Sequence, residues 1–190
     1  FTYTVHNLER LVVSAVVIED KIGLKKNSLF GTDVKQEQDS IENFCEKIKV
    51  GINSKQTDEF MVIARIESLI LGKGIEDALL RGRSYADSGA NGVLIHSKDD
   101  SEELVFQFVE NFKKDFDVPV IVVPTTYNHV TLDEFKKLGV DIVIYANHLL
   151  RSAYPAMLNT AEEILKFGRT QELEKKLMSV KEVINFIPTD

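Results

Sequence analysis

Residues 14–29 read S-A-V-V-I-E-D-K-I-G-L-K-K-N-S-L, and this stretch decides how the chain is interpreted. Its first half contains a short run of valine and isoleucine, which is typical of a buried β-strand. The run ends in three charged residues, and the loop after it carries lysines, an amide and a hydroxyl. In a β/α barrel the chemistry lies at the carboxyl ends of the strands. The stretch therefore predicts a strand whose end contributes to a functional site.

Apolar runs of this kind recur along the chain. There are five of them, at residues 14–18, 60–66, 92–95, 119–123 and 141–145. Helical patterns lie between and after them, at residues 37–50, 74–88, 101–116, 132–138 and 147–167, and the tail 171–186 predicts one or two further helices. Strands that alternate with helices indicate a parallel βα array, either a barrel or a doubly wound sheet. No low-complexity linker interrupts the pattern, so we predict one domain over residues 1–190.

The composition argues against several classes of protein. The 190 residues are 44% hydrophobic, which is enough for a core, and carry a net charge of −7. The basic residues form no continuous run, which argues against nucleic acid as a partner. No apolar stretch reaches the roughly 20 residues of a membrane span, so no membrane partner is expected. The single cysteine, Cys45, cannot form an internal disulfide, which favours a cytoplasmic location.

The beginning of the chain does not fit a complete barrel. Five strands do not close a (β/α)8 barrel, which usually takes about 250 residues. A helical stripe at Val5, Leu8 and Leu11 runs into the first strand without a glycine, proline or asparagine to turn the chain. We therefore expect sequence to be missing before Phe1 and near residues 12–13.

Polar side chains cluster where the first strand ends. Glu19 and Asp20 close this strand, and a carboxylate there could bind Mg²⁺ directly or hold its waters. A salt bridge to the adjacent lysine or to a following helix is the alternative. Lys25, Asn27 and Ser28 lie in a loop longer than most βα loops, and their charge and neutral donors suit an anion. An ordinary solvated loop would explain these three residues equally well.

The second and third strands also end in polar residues. Arg65 and Glu67 flank an isoleucine, so strand alternation points both side chains the same way. A buried arginine must find an anion, which is either a ligand or an ion-pair partner in Glu67 or Glu19. His96 follows the third apolar run and suits donation to a carboxylate or phosphoryl oxygen. A hydrogen-bonded structural role is the alternative for His96.

Six ordered motifs resemble a known family. They are I-E-D-K, K-x-N-S-L, A-R-I-E, L-I-H-S-K, I-V-V-P-T and Y-A-N-H-L-L-R. In order and spacing they resemble the phosphoenolpyruvate mutase family of the isocitrate lyase superfamily, from about residue 14 to residue 184. The resemblance implies an α/β fold, a (β/α)8 TIM barrel, of which this chain matches strands four to eight and the C-terminal helices.

The resemblance also implies an activity. The family interconverts phosphoenolpyruvate and phosphonopyruvate, which forms a carbon–phosphorus bond in phosphonate biosynthesis, and the enzymes are Mg²⁺-dependent isomerases. The family's catalytic residues fall on Lys25, Asn27, Ser28, Arg65 and His96, and substrate contacts are expected from Asn27, Arg65 and His96. Glu19 falls near the metal, through water, and the family's other metal acids lie on strands one to three, without a counterpart here.

Two alternatives stay open beside the mutase. Phosphonopyruvate hydrolase shares much of the same loop, and a catalytically incomplete barrel fragment could act only in assembly. The lyase branches carry a cysteine in this loop, and its absence here argues against carbon–carbon lyase activity. The C-terminal helices resemble ends that exchange between subunits, which implies a homodimer or homotetramer.

Overall fold

The computed structural model describes residues 1–23 and 36–187 of the chain. It divides into two compact units, Phe1–Ala146 and Asn147–Asp190, and each is described by itself. Whether the chain is one domain stays a prediction.

A five-stranded parallel sheet forms the centre of the first unit. Its order is β1-β4-β5-β6-β7, and the strands are β1 (Ala15–Glu19), β4 (Met61–Ile66), β5 (Gly92–Ile95), β6 (Val120–Val122) and β7 (Ile142–Val143). All five correspond to the apolar runs of the sequence, so the strand predictions are confirmed. Because every neighbouring pair is parallel, the carboxyl ends of the strands lie along one edge of the sheet.

Two further strands form a separate antiparallel pair. They are β2 (Lys21–Ile22) and β3 (Glu37–Gln38), with Lys21 opposite Gln38. The sequence predicted a helix over residues 37–50, which is wrong at its start, because residues 37–38 form β3 and the helix begins at Ile41. Two residues carry too little alternation to indicate a strand. The pair joins the two ends of the loop that follows β1, directly beside the end of that strand.

Helices of the first unit pack on one face of the sheet. They are α1 (Thr2–Arg10), α2 (Ile41–Asn53), α3 (Gly74–Asp87), α4 (Glu103–Phe112) and α5 (Leu132–Leu138). The large core cluster combines helix residues such as Phe44 and Phe108 with strand residues such as Val62 and Ile66. Alternating strand residues point the other way, and there Ile63 joins a small cluster formed only by residues of the strands and strand ends. We call this second side the inner face of the sheet.

The connection from α1 to β1 uses an unusual backbone conformation. Val12 has a φ of 57°, and it is the one non-glycine residue with a positive φ in the described part of the chain. A β-branched side chain is unfavourable there, and the tight turn would normally call for glycine or asparagine. The chain thus turns between α1 and β1 without a glycine, proline or asparagine, and Val12 adopts a strained backbone conformation there.

The second unit contains two helices, α6 (His148–Phe167) and α7 (Val180–Ile184). Helix α6 follows the predicted range, and it contains Pro155. Helix α7 begins with a capping box between Ser179 and Glu182 and is the one helix described in the predicted tail. None of the helices described in either unit is both long enough and apolar enough to cross a membrane.

Candidate active site

Glu19, Arg65 and His96 lie at the carboxyl ends of three adjacent strands. Glu19 pairs in register with Arg65 across β1 and β4, and Arg65 pairs with Leu94 of β5, two residues before His96. Leu94 belongs to the apolar cluster of the inner face. Residues in register share a face, and residues two apart on a strand do so too, so all three polar residues belong to the inner face.

Four charged residues form an ion network at this place. Arg65 contacts Glu67 through Nε at 2.5 Å and Glu19 through Nη1 at 3.5 Å. Lys21 contacts Glu67 at 2.7 Å and Glu19 at 3.9 Å. We call Glu19, Lys21, Arg65 and Glu67 the inner charge cluster. It has two cations and two anions, so each charge has an opposite partner despite its low exposure.

Glu67 is the most deeply buried member of the cluster. Its side chain has no exposed surface, and burial by itself raises the pKa of its carboxyl group. The charges of Arg65 and Lys21 outweigh that effect and hold the pKa of Glu67 below its ordinary value. Glu67 therefore stays ionised and fixes the orientation of the Arg65 guanidinium.

His96 is a neutral residue in this setting. It is 4% exposed, and burial, reinforced by the nearby charges of Arg65 and Lys21, lowers its pKa to about 4, although Glu67 and Glu19 act against the shift. At neutral pH the imidazole therefore offers one donor and one acceptor without a charge. Its buried Nδ1 forms no hydrogen bond with any residue of the described segments.

Asp20 points to the other side of the sheet, which corrects the sequence-based idea that it could bind a metal. Its Oδ2 accepts from Tyr85 at 2.7 Å, Gln38 at 2.8 Å and Arg81 at 3.3 Å, and its Oδ1 accepts from the Glu67 backbone at 3.0 Å. A salt bridge to a following helix, the alternative for this carboxylate, is the arrangement found. Strand alternation is the reason, because consecutive side chains point to opposite faces.

A buried polar network surrounds Asp20. Arg81 also bonds Asp77 at 3.0 Å, and Ser68 links Asp77 to Gln38. We call this set the outer network, and its members are Asp20, Gln38, Ser68, Asp77, Arg81 and Tyr85. Burial raises the pKa of Asp20 even though four donors stabilise its charged form.

Sequence reasoning missed Arg81 and Tyr85 as partners of the site. Arg81 is 5% exposed and lies on α3 between Ala78 and Gly82, on the helix face that packs on the sheet. A charged residue at a core-facing helical position requires a buried partner, so this position was the available signal. The identity of the partner could not be read from the helix alone.

Lys25, Asn27 and Ser28 fall in residues 24–35, outside the described segments. Their catalytic and substrate-binding roles stay predictions. The structure describes the strands β2 and β3 on either side of them.

The described residues do not make a metal site by themselves. Residues 1–23 and 36–187 contain no group of three or more histidine, cysteine, aspartate or glutamate side chains that could hold a metal ion. Glu19 is 14% exposed on its side chain and is ion-paired with Arg65 and Lys21. It is the more exposed of the two carboxylates in the inner charge cluster.

Comparison with known proteins identifies the family of this chain. The family model described as phosphoenolpyruvate phosphomutase matches residues 1–165. The chain belongs to the phosphoenolpyruvate phosphomutase family. A phosphoenolpyruvate phosphomutase of Tetrahymena pyriformis is 40% identical over 179 residues, covering 94% of this chain and 59% of the relative. This chain thus spans about three fifths of the length of that relative.

Solved structures of the family confirm the fold. The phosphoenolpyruvate phosphomutase from Streptomyces platensis subsp. rosaceus superposes with a TM-score of 0.92 and 39% identity, over 97% of this chain and 63% of that one. A phosphonopyruvate hydrolase in complex with oxalate and Mg²⁺ has a TM-score of 0.86 and 35% identity, over 96% and 62% of the two chains. The five parallel strands are therefore the C-terminal part of the (β/α)8 barrel of this family, as the motifs predicted.

Proposed function

We propose that this chain carries the catalytic face of a phosphoenolpyruvate phosphomutase, an isomerase that interconverts phosphoenolpyruvate and phosphonopyruvate. The observation that carries the proposal is the meeting of Glu19, Arg65 and His96 at one edge and on one face of the sheet. Family membership supports the same reaction class. The activity is a proposal because the chain spans about three fifths of the relatives' length.

Arg65 would bind an oxygen anion of the substrate. Its guanidinium is oriented from two sides, by Glu67 at Nε and by Glu19 at Nη1. Phosphoryl transfer depends on positioning and on stabilising charge that redistributes over oxygen atoms. A guanidinium that ion pairs already hold in place needs little reorganisation when that charge develops.

His96 would act as a neutral hydrogen-bond donor to a carboxylate or phosphoryl oxygen. With a pKa of about 4 it adds no positive charge to the site at neutral pH. A neutral donor holds an oxygen without donating its proton completely, which suits a step in which the phosphoryl group stays ionised.

Lys25, Asn27 and Ser28 would contact the phosphoryl group and exclude water from it. Exclusion of water separates a mutase from a hydrolase, because water that reaches the phosphoryl group gives pyruvate and phosphate. We expect Lys25→Ala and Asn27→Ala to lower turnover by about two orders of magnitude or more, with little change in melting temperature. Melting curves beside steady-state rates test this, and a modest loss of turnover would contradict it.

Mg²⁺ belongs to the proposal, since a phosphonopyruvate hydrolase of the family was solved with oxalate and Mg²⁺. When bound, such an ion would neutralise carboxylate and keto oxygens of the substrate. Glu19 is the residue of this chain that we propose near its water shell. Within residues 1–23 and 36–187, Glu19 is not part of a group of three or more histidine, cysteine, aspartate or glutamate side chains that could hold the ion.

Phosphorus NMR of the intact chain tests the function. The purified chain is mixed with phosphonopyruvate, with Mg²⁺ or with EDTA, and we expect the phosphoenolpyruvate resonance to appear only with Mg²⁺. Pyruvate and inorganic phosphate would instead identify a hydrolase. If the substrate is unchanged under all conditions, the proposal fails, and the reading as a fragment that acts only in assembly is favoured.

The assembly state and the compartment are also proposals. We propose a homodimer or homotetramer in the cytoplasm, and exposed apolar residues of α6, such as Leu149 and Leu165, support self-association. Light scattering after size exclusion should then give at least twice the 21.5 kDa of one chain. A mass of one chain at micromolar concentration would contradict the proposed assembly.

A further inference from the structure

The end of β4 is held from the outer face by a single carboxylate. Asp20 Oδ1 accepts the backbone N–H of Glu67 at 3.0 Å, and the Asp20 backbone donates to the Arg65 carbonyl at 3.1 Å. These two bonds bracket the residues from which both the guanidinium of Arg65 and the carboxylate of Glu67 project. Asp20 has no exposed surface, so water cannot replace either bond.

Asp20 is in turn held by the outer network. Its second oxygen accepts from Tyr85 and Arg81 of helix α3 and from Gln38 of strand β3. Its backbone carbonyl accepts from Asp39, the residue after β3, at 2.9 Å. Helix α3 and the β2–β3 pair are thereby linked through one side chain to the last residues of β4.

We propose that Asp20 is a positioning residue for the proposed reaction, holding the end of β4 so that Arg65 and Glu67 meet in the inner charge cluster. It does not touch the substrate, because it lies on the opposite side of the sheet from Glu19. The inference rests on the proposed function for its consequence in catalysis. Its structural part, the control of the Arg65–Glu67 contact, stands without it.

Asp20→Asn isolates this role, because the amide has one acceptor oxygen where the carboxylate has two. If that oxygen faces the Glu67 N–H, the amide nitrogen faces Tyr85, Arg81 and Gln38, which are donors in the wild type. If the amide is turned round, the nitrogen faces the Glu67 N–H instead. Asp20→Asn therefore loses its bonds to the outer network in one orientation and its bond to the Glu67 N–H in the other, with almost no change in volume.

The chain offers a matched control at the other end of β4. The Asn91 backbone donates to the Val62 carbonyl at 2.9 Å, and Asn91 Oδ1 accepts the Val62 N–H at 2.9 Å. Asn91→Ala therefore removes the same kind of side-chain bond from the same strand, remote from the inner charge cluster. If Asp20 only supports the strand, Asp20→Asn and Asn91→Ala should have similar effects on kcat/KM.

Two measurements on the full chain decide the question. The first is kcat and KM for phosphonopyruvate, and the second is the Arg65 Nε–H resonance in a ¹H–¹⁵N spectrum at pH 7.5, assigned with Arg65→Lys. We expect Asp20→Asn to lower kcat/KM at least tenfold and to move the Nε–H resonance, since the bond to Glu67 changes. Asn91→Ala should keep kcat/KM within twofold and leave the resonance in place.

Each outcome has a defined meaning. An unmoved resonance in Asp20→Asn, or a kcat/KM no lower than that of Asn91→Ala, overturns the inference. If the wild type is inactive, the proposed function fails, and the resonance alone decides whether Asp20 controls the Arg65–Glu67 contact. If Asp20→Asn does not fold, Tyr85→Phe removes one donor to Asp20 and should cause a smaller change of the same kind in both measurements.

Discussion

Glu19 and Asp20 are adjacent acids with opposite surroundings. Glu19 lies on the inner face, retains some exposure and shares its charge with Arg65 and Lys21. Asp20 lies on the outer face, is fully buried and accepts hydrogen bonds from one backbone and three side-chain donors. Two adjacent residues at the end of one strand can therefore have different roles, one at the candidate active site and one in a buried supporting network, because successive residues face opposite sides of the sheet.

The largest expected effect is on the inner side of the comparison. Arg65→Ala removes the guanidinium that Glu19 and Glu67 orient, and we expect kcat/KM to fall by about 10²- to 10³-fold. Steady-state kinetics with phosphonopyruvate measure it. Arg83→Ala is the control, since Arg83 pairs with Asp115 on the surface of the same unit, and it should change kcat/KM less than twofold. Equal losses of kcat/KM in the two variants would show that Arg65 makes no specific contribution to catalysis.

Asp20 and the outer network should also make the largest contribution to stability. Asp20→Ala leaves Arg81, Tyr85 and the Glu67 N–H without their buried acceptor, and we expect the free energy of unfolding to fall by about 3 kcal/mol or more. Urea unfolding followed by circular dichroism measures this value. A loss below about 1 kcal/mol would mean that the outer network does not support the strand end.

His96, on the inner face, should make the free energy of unfolding depend on pH. Its pKa of about 4 in the folded chain lies below the ordinary 6.5, so between these values the unfolded chain binds more protons. Stability from this residue is therefore complete above about pH 6.5 and is lost as pH falls towards 4, in total roughly 3 kcal/mol.

His96→Asn should remove that part of the slope in unfolding experiments between pH 4 and 7. The control is His129→Asn, because His129 is an exposed residue paired with Glu102. It should keep the wild-type slope to within a few tenths of a kcal/mol. An unchanged slope in His96→Asn would show that His96 is not buried as described.

The smallest expected effect is the stability of Glu19→Gln. The two ion pairs described for Glu19 are 3.5 and 3.9 Å long, and its side chain is partly exposed, so we expect the change to cost less than about 1 kcal/mol. The same urea unfolding measures it against Asp20→Ala. If Glu19→Gln lowered the free energy of unfolding as much as Asp20→Ala, the two neighbouring acids would not differ in their contribution to stability.

Much of the fold could be predicted because its signals are local. Val and Ile runs and the helical spacing of residues such as Phe44 and Ile48 identify five parallel strands and their crossover helices. The pair β2–β3 could not be predicted, since it is two residues long on each side and depends on its partner strand. The positive φ at Val12 likewise follows from where α1 and β1 lie, and nothing in the valine itself favours it.

The candidate site divides in the same way. That Glu19, Arg65 and His96 lie together could be predicted, because polar residues directly after apolar strands share one edge of a parallel sheet. Lys25, Asn27 and Ser28 lie outside the described residues, so their part of the prediction stays open. The link between the two faces at Asp20 could not be found, because its partners Arg81 and Tyr85 lie more than 60 residues away on a helix.

The sequence by itself determined the order of the five parallel strands and their helices, the family, and which polar residues stand at the ends of those strands. Those properties depend on neighbours a few positions apart, where side-chain period and motif spacing are sufficient. Only the tertiary structure decided that Glu19 enters an ion network while Asp20 is buried under α3, and that His96 is neutral. These outcomes depend on burial and on charges brought together from distant parts of the chain, and both act through space.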